Sequence, residues 1–246
     1  MIDFLKDLLS PFLTRTGVVA ASTLAGGAVA YYVKDPLINK WTTFKARSWL
    51  RRIPATGVSN FFPNRENYQK DRELSFLEYI SSAKVSLSYC GHWLAFSIDQ
   101  HNTLETLCEL AQSGKNVQLI LLDPSLPSEV LATYATYFNE TEEYLRNQIH
   151  NTWAKVTDAK KKLGQKAQSC LELRKHQEFI SYSSFWFDKN HAQQHILIDV
   201  KIFGISRRDS YGIELKPTSG AVKSNASLFE RYSRSIESLI IKSQIV

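Results

Sequence analysis

Residues 104–124 read LETLCELAQSGKNVQLILLDP. Leu104, Leu107, Leu110 and Ala111 recur at helical spacing, so the spacing predicts a helix over Thr103–Ser113. Gly114 is its natural stop, because only glycine enters the left-handed region at no steric cost. Asn116–Leu122 then runs apolar without alternation and reads as a strand buried on both faces. Asp123-Pro124 ends it. Helix, glycine and buried strand in this order predict a βαβ unit with parallel strands.

Outward from this unit the same grammar continues. Lys84–Cys90 alternates as a strand that Gly91 terminates, after a helix over about 72–83 with Leu74, Phe76, Leu77 and Ile80 as its buried stripe. A long helical region follows over 128–168, charged towards its end. Strands are expected at Leu171–Lys175, Glu178–Phe187 and His195–Gly204, and a final amphipathic helix at Ser227–Lys242. Ser59–Tyr68 reads as a loop, as does Lys216–Asn225. Phe185, Trp186 and Phe187 fill both phases of a strand, which favours core over a dimer contact. The expected fold is an α/β domain over residues 57–246, a mixed or parallel sheet flanked by helices.

The N-terminal quarter is of a different kind. Thr16–Val33, TGVVAASTLAGGAVAYYV, is an uncharged run of 18 residues, long enough to cross the ~30 Å hydrocarbon core as a helix. Lys34, Lys40, Lys45, Arg47, Arg51 and Arg52 follow, offset by Asp35 alone. Cytoplasmic flanks collect Lys and Arg, so the expected topology is a single pass through the inner (cell) membrane, with everything after the run in the cytoplasm. The competing reading is a cleaved signal peptide. It fits poorly with the mixed charge of residues 1–15, which pattern as an interfacial amphipathic helix, and with a stop-transfer cluster after the run. Ala21 and Ala25, and Ser22 and Gly26, form small-residue faces that let spanning helices pack. Residues 34–56 read as a basic juxtamembrane helix, with Trp41 and its Lys and Arg neighbours on anionic headgroups. Pro54 and Gly57 mark the boundary.

The charge balance follows this division. The net charge is +6, and the flank after the run carries most of it. The remainder is nearly neutral, so nucleic acid is not expected as a direct ligand. The expected partners are a bilayer with anionic headgroups, a second copy of the chain and a protein partner. Cys90, Cys108 and Cys170 have no metal or redox spacing and read as free thiols in a reducing compartment. His191 and His195 lie four apart, but in a segment that reads as strand and with no Cys or Glu at ligand spacing. Neither a metal nor a cofactor is expected.

Three segments together resemble the phospholipase D-like superfamily: FLEYISSAKVSLSYCG, LETLCELAQSGKNVQLILLDP, and HILIDVKIFGIS followed by SLFERYSRSIESLIIKS. The resemblance covers about 73–243. It implies a phosphoryl-transfer signature of His-x-Lys, four residues, then Asp, followed by Gly-Ser, with two copies meeting in one site. Here the corresponding segment is HAQQHILIDVKIFGIS. Counted from His191, the lysine position is Gln193 and Asp199 falls one residue late. Counted from His195, the lysine position is Leu197 and the aspartate position Ile202. Ser206 stands near the family's serine, but Ile205 replaces its glycine. A site without the lysine loses the cation that stabilises developing phosphate charge, worth several kcal/mol. The resemblance therefore implies a degenerate, non-catalytic relative: a membrane-anchored effector or sensor that assembles or binds a partner. Compact bacterial antiviral effectors supply the analogy. The alternative is a membrane-tethered nuclease or phospholipase that builds its site from His191, His195 and Asp199 across a dimer.

Ligand candidates come from strand ends, where parallel sheets bind. His92 follows the first strand, Asp123 the second and His176 the Leu171–Lys175 strand. His195 lies on a later strand, with Arg207 and Arg208 beyond it. His92, His176, His195 and Arg207 are the set expected to converge on an anion or nucleotide. The bland reading competes at each position: a turn residue at Asp123, backbone-bonded core histidines at 92 and 176, surface solvation at 207 and 208.

Overall fold

A computed structural model describes residues 56–62, 75–92, 94, 98, 102–201, 211–218 and 227–246. The expected span (16–33), the interfacial helix before it and the basic helix after it lie outside these residues, apart from Thr56. So do Ala21, Ser22, Ala25 and Gly26, the headgroup-facing Lys34, Lys40, Trp41, Lys45, Arg47, Arg51 and Arg52, and Arg207 and Arg208. Among the described residues no helix is long and apolar enough to cross a membrane.

Eight strands form one mixed sheet: β1 (Val58–Phe62), β2 (Ser86–Cys90), β3 (Asn116–Leu122), β4 (Leu171–His176), β5 (Tyr182–Phe187), β6 (His195–Val200), β7 (Gly212–Leu215) and β8 (Gln244–Ile245). The described helices are α1 (Phe76–Ser81), α2 (Thr103–Gln112), α3 (Ser128–Phe138), α4 (Glu142–Lys162), α5 (Gln165–Cys170) and α6 (Leu228–Lys242). The strand order is β1-β7-β6-β5-β2-β3-β4-β8. β2, β3 and β4 run parallel, as the βαβ pattern predicts, and the other pairings are antiparallel.

The apolar run of β3 is divided between two cores. Leu119 and Leu121 join Leu87, Tyr89, Phe185, Phe187 and Leu197 beneath α1–α5. Ile120 joins Cys90, Trp186, Ile196 and Ile198 beneath α6, through Phe229, Ile236 and Leu239. The three consecutive aromatics of β5 are thus core, Phe185 and Phe187 on one face and Trp186 on the other.

Several sequence expectations are corrected. The single helical region over 128–168 is three helices. Asn139 takes a left-handed conformation (φ 55°) that ends α3, and Leu163-Gly164 separates α4 from α5. Ser59–Phe62, expected as loop, is the greater part of β1, where Val58 to Phe62 pair with β7. β5 starts only at Tyr182, not at Glu178, and β4 extends by one residue to His176.

Asp188 fastens the start of β2 to the end of β5. Its Oδ1 accepts the Lys84, Val85 and Ser86 N–H groups at 2.9, 2.7 and 3.2 Å. Its own backbone is left-handed (φ 49°), a conformation that Asp and Asn tolerate better than most residues. A Cβ at Gly91 would lie 2.1 Å from Leu94 Cδ2, so a larger residue there would require the Leu94 side chain to shift.

Candidate functional site

The parallel strands deliver three of the expected residues to one edge. After β2 ends, the His92 carbonyl still accepts the Leu122 N–H (2.8 Å), and the Asp123 N–H donates to the His176 carbonyl (2.7 Å). These bonds hold His92, Asp123 and His176 side by side at the carboxyl ends of β2, β3 and β4, the binding edge of parallel sheets. β6 runs antiparallel to β5 and brings Lys201 to the same edge. The Lys201 N–H donates to the Ser181 carbonyl (2.8 Å), and its own carbonyl accepts the Tyr137 hydroxyl (3.0 Å).

His92 is fully buried. Its Nε2 accepts the Ile180 N–H at 3.3 Å, and its Nδ1 lies 3.1 Å from Lys201 Nζ. Phe138, Phe179 and Tyr134 ring the imidazole at centroid distances of 5.1, 5.6 and 5.7 Å. Phe179 is 41% exposed and forms the outer wall. The ring of His176 is 6.1 Å from that of His92. Its Nε2 donates to the Gly91 carbonyl at 3.2 Å, and its Nδ1 meets no hydrogen-bond geometry among the described residues. Burial pushes the His176 pKa down to about 4. The Gly91 and Glu178 main chain opposes this shift, and Lys201 adds to it.

Asp123 is almost wholly buried, yet its carboxyl is held below the usual range. Burial alone would raise it. The Ser125 hydroxyl and amide (2.7 and 2.9 Å), the Gln177 amide (3.3 Å) and the Lys175 ammonium (3.5 Å) outweigh that effect. These partners make Asp123 a turn residue as well as an edge residue.

The other candidates stand elsewhere. His195 begins β6, stacked on Phe187 with centroids 4.4 Å apart. It lines a groove of about 510 Å³ with Tyr79, Gln193, Glu214 and Lys216. Six residues of extended chain separate it from Lys201, roughly 20 Å at the usual rise. The expected convergence of His92, His176 and His195 is therefore divided between opposite ends of the sheet. His191 is exposed in the turn before β6, its N–H donating to the Asp188 carbonyl at 3.0 Å. Asp199 is half-buried along β6, opposite Ser183 and Gly212. His191, His195 and Asp199 do not form one cluster within the chain.

Sequence reasoning missed Lys201 and Glu214. Both carried a signal, a charge closing or interrupting an apolar strand. Glu214 is 1% exposed and accepts from the Ser59 and Tyr79 hydroxyls at 2.7 and 2.9 Å. Among the described residues no three His, Cys, Asp or Glu side chains are placed to share a metal ion.

No protein-family model matches the chain, and no curated protein sequence matches it. Among solved structures, it is similar to TrmBL2, an archaeal chromatin protein described as showing a novel mode of DNA binding. The TM-score is 0.43 at 11% identity, over 98% of this chain and 71% of that one. It is also similar to Nuc, a phospholipase D family member from Salmonella typhimurium. Here the TM-score is 0.34 at 11% identity, over 69% of this chain and 87% of that one. At these values the likeness carries no argument about ligand, substrate or partner.

Proposed function

We propose that the chain is a membrane-tethered effector or sensor without phosphodiesterase activity. Its phospholipase D-like domain faces the cytoplasm and acts by binding a ligand, a protein partner or further copies of itself. Assembly there draws the small-residue spanning helices together and perturbs the bilayer, by analogy with compact bacterial antiviral effectors. One observation carries the non-catalytic part. Counted from His195, the signature's lysine position is Leu197, a core side chain only 2% exposed. Counted from His191, it is Gln193, whose side-chain carbonyl is taken by the Lys84 ammonium. Neither register places a lysine at the signature's own cation position.

A second reading has an observation of its own. His92, His176 and Lys201 meet at one edge, and two imidazoles with an amine are the groups phosphodiester chemistry uses. On that reading the protein is a tethered phosphodiesterase whose site lies behind Phe179.

One set of measurements separates the two. The intact chain and a version lacking residues 1–35 are expressed in cells, and membrane potential is followed under the inducing signal. The detergent-extracted intact chain is also assayed on bis(4-nitrophenyl) phosphate. The tethered-effector reading expects depolarisation by the intact chain alone, and no hydrolysis. Equal depolarisation by both versions sinks it. Hydrolysis lost in both His92→Ala and His176→Ala establishes the second reading instead.

A further inference from the structure

The face of the sheet beneath α6 changes character halfway across. Ile196, Trp186, Ser88, Gln118 and Glu172 stand in one row, on β6, β5, β2, β3 and β4. Ile196 and Trp186 belong to the core under α6. The other three are polar, and each is bonded to the next. The Ser88 hydroxyl donates to Gln118 Oε1 at 2.9 Å, and Gln118 Nε2 donates to Glu172 Oε1 at 3.1 Å. Arg174 Nε donates to the same carboxylate oxygen. A carboxylate only accepts, so it fixes which way the Gln118 amide faces. Ser88 is 4% exposed, and the relay holds all three side chains in place before anything binds.

The same three residues line a cavity of about 290 Å³, together with the half-buried Ser86 and the exposed Asn116 and Asn190. That volume is at the small end of ligand sites and suits a single ring. The relay leaves groups to spare. Gln118 Nε2 keeps a second N–H, and Glu172 Oε2 can accept. The Ser86 hydroxyl accepts the Lys189 N–H at 3.1 Å and can still donate. Asn116 and Asn190 each add a side-chain amide. Donors and acceptors therefore alternate over a short distance, and a ring of hydroxyls, each able to give and take a hydrogen bond, is the complement of that pattern.

Other ligand classes fit less well. The Lys189 ammonium in the lining is held by Glu237 at 3.1 Å and lies 4.8 Å from the centre of the Trp186 ring, so a phosphate finds no uncommitted cation. The Glu172 carboxylate already carries Arg174, which opposes a second cation. Among the described lining residues none is aromatic, so a flat base has no face to stack on.

We propose that this cavity binds one uncharged, polyhydroxylated ring, a pyranose or an inositol. Gln118 and Glu172 take two neighbouring hydroxyls, the amide giving to one oxygen and the carboxylate receiving from the other. Asn116 and Asn190 hold the hydroxyls on the solvent side. Ser86 and Asn116 open their strands, whereas His92 follows the end of β2. The cavity thus lies at the other end of the strands from the His92 edge. It needs neither the tether nor phosphodiester chemistry, so its failure leaves the proposed function standing.

The test uses the intact chain in a detergent without a sugar headgroup, with saturation-transfer NMR titrations. The probes are methyl α-glucopyranoside, N-acetylglucosamine and myo-inositol, and the pyranose and inositol arms tell the two sources apart. Inorganic phosphate and choline are the charged probes. Asn116→Ala and Asn190→Gly change exposed side chains, and a matched urea midpoint shows that each variant is folded. At least one ring is expected to bind, and about threefold to tenfold more weakly in at least one variant, as the loss of one hydrogen bond does. No binding of any ring up to about 20 mM, or an affinity equal to the parent's in both variants, overturns the proposal. So does binding of phosphate or choline that the same substitutions weaken.

Discussion

At the scale of single residues, the chain buries groups that water would rather hold. His176 is 1% exposed, and its folded pKa of about 4 lies below the ordinary 6.5. The unfolded chain therefore takes up a proton at this position before the folded one does. Stability is fully present above about pH 6.5 and is lost as pH falls towards 4, by up to about 3 kcal/mol from this residue. The urea midpoint should fall across that window, and the fall should be shallower in His176→Gln. An equal slope in the variant would assign the loss to other groups. Cys90 shows the same physics in a thiol, since burial, only partly offset by the Ser184 hydroxyl, pushes its pKa up to about 12. His92 and His176 were legible in sequence as strand-end residues because the alternation of Lys84–Cys90 stops at Gly91 and that of Leu171–Lys175 stops before His176. Lys201 was not, because a single charge after HILIDV reads equally well as a surface residue.

At the scale of elements, what could be read depended on how much each segment decides for itself. α2, Gly114 and β3 declared themselves because helix period, stop and buried run all agree locally, and Gly114 indeed takes φ +84°. The breaks between α3, α4 and α5 were not legible, because Asn139 and Gly164 sit among good helix formers. β1, β7 and β8 span five, four and two residues, so pairing across the fold creates them more than local propensity does. α6 begins with reciprocal bonds. The Ser227 hydroxyl accepts the Glu230 N–H (3.2 Å), and the Glu230 carboxylate accepts the Ser227 N–H (3.0 Å). Among the described helices α6 alone packs on its face of the sheet. Ser227→Ala should therefore cost about 1 kcal/mol of whole-protein stability. Denaturant titration measures it, and an unchanged midpoint would mean the box contributes nothing.

At the scale of the molecule, the sheet keeps its two candidate sites apart: a buried His92–Lys201 edge, and the His195 groove at the far end. The sequence placed the candidates on the right kinds of element. It could not say which end each would reach, because that depends on β6 running against its neighbour β5. The Asp188 clamp is another property of the whole. It joins a carboxylate to amides 102 to 104 residues earlier in the chain, and the entropy of closing so wide a loop leads us to expect that the clamp forms late in folding. Asp188→Asn keeps an acceptor oxygen and tolerates the left-handed backbone, so it removes little besides the charge, worth about 1–2 kcal/mol. Stopped-flow kinetics should show faster unfolding with refolding little changed. Refolding slowed in proportion would place the clamp in the nucleus instead. A latch set after everything else is in place works as a brake on escape, so this one carboxylate should govern how long the native state survives more than how quickly it is reached.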